Sequence, residues 1–316
     1  MIDYSIYYRR SIAPDRIGRE VPEFDIFVSA FNLSDRVQTV FLDVNARRKI
    51  WLLHPEYEYS EIEEPRGYEV VKPNLVDEVI QVDALLAKIG DLKNVSLCID
   101  ITGFMRHVLV FLFAKLGSMG LESVHAIYSE PISYSKAEGT IFSTTTSGVV
   151  RTVRGMSASS LQQGKDHLVV GVGFDAKLIS MVSHYKDDAV THPVFAFPSL
   201  SADMYQQSAI NAAHSGEVAL QGEWIDNRVF APANDPFATA EVIRDLVKDI
   251  DYRYISANIY MAPLSTKVQA LGFALYWWLE GRARGGVSLL LPECLTYSRE
   301  TSSGLRRLWL YTIEFS

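Results

Sequence analysis

The chain repeats its own plan. Residues 24–60, opening on FDIFVSAF, are echoed by residues 167–203, opening on HLVVGVGF. Residues 70–86 (VVKPNLVDEVIQVDALL) are echoed by 229–247, and 95–136 by 257–299. Pro55 answers to Pro198, Pro73 to Pro232 and Arg106 to Lys267. The likeness lies in element order, proline placement and loop chemistry, not in identity. A doubled plan predicts two tandem units, residues 1–150 and 151–316, that pair within one chain as a pseudo-dimer with a site where the halves meet.

The elements within each half set the fold class. FDIFVSAF, KIWLLHP and VSLCIDI are apolar, β-branched or aromatic, and too short for helices. Between them, Val37, Val40, Phe41 and Val44 recur at helical spacing, and LVDEVIQVDALLAKI is amphipathic. A very apolar helix, HVLVFLFAKLGSMG, follows the third strand, and SVHAIYSEP reads as a fourth. The second half gives the same series, from HLVVGVGF to VSLLLPE, and RRLWLYTIEFS reads as a closing strand. Strands apolar on both faces that alternate with helices predict two Rossmann-like α/β units, each on a parallel sheet. A short strand is expected at 4–8, and the Ser-, Thr- and Gly-rich stretch 140–164 reads as the linker, with room for strands of its own.

Composition narrows the partners. A length of 316 residues fits two domains of about 150 each. A net charge of −8 argues against long nucleic acid as a partner, because phosphate binding wants a basic surface. A small anion in a local basic pocket stays open. The two cysteines, Cys98 and Cys294, can build no disulfide framework and are expected as buried thiols in a reducing compartment. The longest apolar run is broken by Lys115, well short of the ~18 apolar residues of a membrane span. No basic-then-apolar leader opens the chain. The expectation is a cytoplasmic protein with no membrane contact.

In a parallel α/β sheet, ligands bind where strands run into helices. Four loops matter most: 29–36, 102–106, 171–177 and 263–267. In the first half, Ser29 and Asn32 follow one strand, and Thr102, Gly103 and Arg106 another. In the second half, Gly173 and Asp175 match the first pair, and Ser265, Thr266 and Lys267 the second set. A hydroxyl-rich turn, a helix N-terminus and one cation make a common phosphate or ribose grip. Helix capping by Thr102 and Thr266, with solvated cations, is the competing explanation. Asp100, Asp175 and Asp235 also read as turn or cap residues before they read as bases.

Catalytic signatures are thin. No Gly-x-Ser-x-Gly elbow, Walker lysine loop, paired metal histidines or spaced cysteines occur. Gly171-x-Gly173 lacks the third glycine of a nicotinamide fingerprint, so no cofactor and no metal are expected. His54 and His107 lie at loop ends, where a structural role outweighs a basic one. Tyr134 and Tyr297 recur after the last strand of each half, followed by Lys136 and Arg299. They are candidates for base stacking, with core packing as the default.

This duplicated α/β unit, with a polar loop after its first strand and Asp100-Ile-Thr-Gly or Ser265-Thr-Lys after a later one, resembles the CRISPR-associated Rossmann-fold (CARF) sensor domains. The resemblance implies a nucleotide-binding regulatory protein in antiviral defence that holds a cyclic oligonucleotide at the seam between the halves. Ser29, Asn32, Thr102, Gly103, Arg106, Gly173, Asp175, Ser265, Thr266 and Lys267 would make its contacts. Two departures stand out. The family's double glycine before the basic residue is absent, since Phe104 follows Gly103 and Leu264 stands in the second half. No attached effector is recognisable, so output would pass through another protein chain, or the chain would itself cleave the nucleotide. Enzyme and regulator both stay open, as does an adaptor that uses Trp277, Trp278, Trp309 and Tyr311 as an interface.

Overall fold

The structure is a computed structural model and describes residues 2–134, 143–161, 163–200, 222–254, 256–299 and 302–316. The chain forms two compact units. The first comprises residues 7–112, 116–145 and 294–316, and the second 1–6, 113–115 and 146–293. Both are α/β units built on mixed, mostly parallel sheets, as the alternation of apolar strands and helices predicts.

In the first unit the strands are β1 (Arg9–Ile12), β2 (Phe24–Ala30), β3 (Ala46–Leu52), β4 (Glu69–Val71), β5 (Leu97–Asp100) and β6 (Ser123–Tyr134). Its helices are α1 (Ile17–Glu20), α2 (Asp35–Asp43), α3 (Glu78–Ile89) and α4 (Arg106–Ser118). The second unit holds β7 (Ser143–Thr152), β8 (Lys165–Val172), β9 (Val190–Ala196), β10 (Val229–Ala231), β11 (Ala257–Pro263) and β12 (Val287–Tyr297), whose last residues belong to the first unit. Its helices are α5 (Ala176–Tyr185), α6 (Gly222–Asp226), α7 (Pro236–Arg253) and α8 (Lys267–Tyr276). The last strand, β13 (Ser302–Glu314), returns to the first sheet.

The first sheet runs β1-β13-β6-β5-β2-β3-β4 and the second β10-β9-β8-β11-β12-β7. From β6 to β4 the neighbours are parallel, while β13 lies antiparallel to both β6 and β1. From β10 to β12 every pairing is parallel. Five consecutive strands in each unit thus follow one order. The chain winds outward from β2 through β3 to β4, then resumes on the other side with β5 and β6. The series β8, β9, β10, β11, β12 does the same.

The core follows from the apolar runs. Phe27, Val37, Val40, Phe41 and Trp51 lie in one buried cluster of the first unit. Phe41 stacks on Trp51 at 3.6 Å between ring centres. Helix starts are fixed by carboxylates and hydroxyls. Asp77 accepts from the Val79 and Ile80 amides, Asp235 from Phe237 and Ala238, and Thr266 from Gln269. Ser34 takes the N-cap position of α2 without a side-chain cap, and Asn32 Oδ1 accepts the Ser34 amide at 2.8 Å.

Two local expectations need adjustment, and a third holds. The opening strand is β1, whereas Tyr4–Ile6 form a short 3-10 turn. Pairing of Arg9 with Tyr311 sets that position, a long-range contact that no local pattern encodes. As the sequence allowed, the stretch 140–164 holds a strand of its own, β7, at the edge of the second sheet. Cys98 is buried as expected, but Cys294 is only half-buried.

Candidate functional site

Each five-strand series reverses its winding between its first and fourth strands, and the loops that leave those strands stand side by side. In open α/β sheets this switch point is where ligands bind. In the first unit it lies between the parallel neighbours β2 and β5, and in the second between β8 and β11. Every residue singled out for ligand contact sits on one of these four loops or at the strand end beside it. The segment that carries Ser29 and Asn32 follows a strand paired with the one that leads to Thr102, Gly103 and Arg106, and the segment of Gly173 and Asp175 is matched in the same way with that of Ser265, Thr266 and Lys267.

Glycine permits the close approach. A Cβ on Gly103 would lie 2.5 Å from the Ala30 carbonyl oxygen at the end of β2. In the second unit the glycine is on the other loop, and a Cβ on Gly173 would lie 2.2 Å from the Leu264 carbonyl oxygen. Both separations are shorter than non-bonded atoms tolerate, so no larger residue fits without moving backbone.

The first-unit polar groups are largely engaged with one another. Ser29 Oγ donates to Asp100 Oδ2 at 2.9 Å, and the Thr102 amide donates to Asp100 Oδ1 at 3.0 Å. Thr102 Oγ1 accepts the Ser129 amide at 2.9 Å, so it braces β6 and does not cap α4. Ser29, Asn32, Thr102 and Asp100 are all buried. Burial pushes the Asp100 carboxyl up, and hydrogen bonds from Thr102 and Ser29 with the charge of Arg36 offset part of that rise. Asp100 therefore anchors the turn. Arg36, also buried, donates to the Ser129 carbonyl.

The second-unit loops are built differently. Thr266 caps α8, and its own hydroxyl donates to the Ala233 carbonyl at 2.8 Å. Asp175 caps α5 through the Leu178 amide at 3.4 Å. Ser265 is buried, and Lys267 is half-buried in the first turn of α8. Gln269 is buried, and its Nε2 donates to the Ala231 carbonyl at 3.0 Å. Beside Asp175, α5 flanks a cavity of about 700 Å³ lined by Ala176, Lys177, Ser180, Met181 and His184, with Gly148 and Val150 of β7.

One polar network escaped the sequence reading. His54 Nε2 accepts the Met105 amide at 3.2 Å, in the loop before α4. That fixes Nδ1 as the protonated nitrogen, which donates to Gln81 Oε1 at 2.6 Å. Gln81 Nε2 in turn donates to Glu56 at 3.2 Å. His107 Nε2 faces Glu56 Oε1 at 3.1 Å and the Val76 carbonyl at 2.9 Å. Burial pushes the Glu56 carboxyl up, but the hydrogen bond from His107 and the electrostatic influence of the two neighbouring imidazoles hold it below the usual range. The sequence singled out His54 and His107 at loop ends as structural, but not their partners Glu56 and Gln81, the latter a polar side chain on the buried face of α3.

Other candidates resolve plainly. Trp277, Trp278 and Tyr311 are buried and Trp309 half-buried, so these aromatics pack within the fold and do not form an exposed face. Tyr297 packs edge-on against Tyr57. Lys136 lies outside the described residues. Among the described residues no cluster of three His, Cys, Asp or Glu could hold a metal. No helix of the described residues is long and apolar enough to cross a membrane. Comparison with family models, curated proteins and solved structures gives no match.

Proposed function

We propose that the chain is a duplicated nucleotide-binding regulatory protein, as its resemblance to the CARF sensor domains implies. The ligand class is a small anionic nucleotide, with cyclic oligonucleotides the first to test. The carrying observation is the pair of switch points, each with two loops in backbone contact and a basic residue, Arg106 or Lys267, in the first turn of the adjacent helix. Amides at a helix start and a nearby cation attract phosphate. The shared strand order supports a doubling of one unit. Output through a separate protein chain, antiviral defence and a cytoplasmic setting belong to the same proposal.

The test is thermal stabilisation of the intact chain by a panel of linear and cyclic oligoadenylates and cyclic dinucleotides. A ligand at a hundred times its Kd adds about 2.7 kcal/mol of stability. Arg106→Ala combined with Lys267→Ala should abolish the shift. A full shift in the double variant overturns the site assignment, and no shift in the unaltered protein overturns the nucleotide reading.

A second reading, cleavage of the bound nucleotide, has one observation behind it. His107 follows Arg106 directly, and the buried Glu56 carboxylate holds its Nε2. A carboxylate-held imidazole is a common general base. Incubation with the same panel, followed by chromatography, decides it: intact nucleotides at high protein concentration remove the reading.

A further inference from the structure

The first unit's switch point is covered by residues of its own unit. Residues 53–68 link β3 to β4, and Tyr57 near their start is buried. Its hydroxyl donates to the Gly103 carbonyl at 3.1 Å. Its neighbour Tyr59 meets Phe31, in the loop after β2, edge-on at 5.0 Å. The connection therefore touches both site loops, and Ser29, Asn32 and Thr102 lie buried. A ligand that takes up contact with the Gly103 carbonyl must displace Tyr57.

One arginine holds this connection in place. Arg299 Nε donates to the Tyr57 carbonyl at 2.7 Å, and its Nη2 to the Glu58 carbonyl. Its Nη1 pairs with Glu63 Oε1 at 2.8 Å, and its guanidinium lies 4.8 Å from the Tyr59 ring centre. The three nitrogens thus grip three successive parts of the connection. The Arg299 side chain is 35% exposed, so water can reach the grip, whereas Tyr57 beneath it is sealed. An exposed ion pair alone is weak, but a planar fork on two carbonyls and a carboxylate fixes geometry.

We propose that residues 53–68 form a gate over the site between β2 and β5, with Tyr57 as its plug and Arg299 as its latch. What enters rests on the nucleotide reading, but the latch rests on the contacts alone. Hydrogen–deuterium exchange on the intact chain tests it without any ligand. Arg299→Ala should raise exchange across residues 55–63 and 102–106 roughly tenfold and leave residues 165–172 unchanged. Arg299→Lys should fall between, because it keeps the charge and loses the fork. No change over 55–63, or an equal rise everywhere, overturns the latch. Circular dichroism confirms that each variant is folded.

A second measurement separates gate from ligand. Fluorescent cyclic tetra-adenylate should bind Arg299→Ala about tenfold faster than the unaltered protein. Equal association rates with a loosened connection overturn the gate and leave the nucleotide reading standing. If the probe binds neither protein, the nucleotide reading loses its ligand class and the exchange result alone decides the latch.

Discussion

A missing side chain decides more at Gly103 and Gly173 than any charged group nearby. Both lie where a Cβ would enter a backbone carbonyl, at 2.5 and 2.2 Å. Gly103→Ala should therefore cost about 1–3 kcal/mol, the usual penalty of overpacking. Gly18→Ala is the control, since its Cβ would sit at an ordinary 3.4 Å from the Asp43 carbonyl oxygen. Its effect should be small or favourable, because alanine loses less backbone entropy on folding. Urea denaturation of the two variants checks the difference. A Gly103→Ala midpoint equal to that of the unaltered chain would mean that the loops are not pressed together. The sequence marks Gly103 as a turn glycine and offers close backbone approach as one reading of Gly173, but their partners, Ala30 and Leu264, arrive from segments far along the chain. Local pattern cannot show such a contact. The same limit hid the network from His54 to Glu56, whose members come from three elements.

At the scale of the strand, β8 and β9 carry a buried pair whose ionisation opposes folding. His167 Nδ1 and His192 Nε2 lie 3.0 Å apart, and Tyr254 closes edge-on over the His167 ring. One imidazole must donate and the other accept, so the two cannot both be protonated. Burial, then the neighbouring His167 and the Arg253 charge, push His192 down from 6.5 to about 4. His167 moves in the same direction, mainly through burial. Both folded values lie below the unfolded one, so the unfolded chain takes up protons first as pH falls. Stability present above pH 6.5 is lost between 6.5 and 4, on the order of 3 kcal/mol for His192. His192→Gln keeps a hydrogen-bonding group and removes the titration. The gap between its pH–stability curve and that of the unaltered chain isolates the effect from the carboxylates. A constant gap from pH 7 to 4 would rule the pair out. The strands themselves were legible, since apolar runs such as FDIFVSA and HLVVGV can only be buried strands. The facing of two histidines was not, because register is set by pairing: Val169 lies opposite His192, and His167 opposite Val190.

For the molecule as a whole, the telling fact is that the first unit is discontinuous in sequence. Its sheet needs β13, which lies antiparallel along β6 from Ser302 opposite Tyr134 to Glu314 opposite Ser123. Trp309 Nε1 donates to the buried Glu130 across that pairing at 2.9 Å. Without β13, β6 would expose a long unpaired edge, and β1 would lose its neighbour. The register offers a direct way to supply β13 from a much shorter chain. Tyr134 and Ser302 are paired neighbours, so a two-residue Asn-Gly turn can join them as a hairpin and replace residues 135–301. Such a chain retains β1 to β6, the loops after β2 and β5, and the Glu56 network, while it gives up Arg299. It should unfold in one cooperative transition, whereas a chain that stops at Tyr134 should be insoluble or unfolded. Calorimetry of both chains reads the outcome. If the version without β13 melts as sharply as the hairpin version, the closing strand contributes little to the first unit. If both fail, the first unit depends on residues within 135–301 for more than the delivery of its last strand.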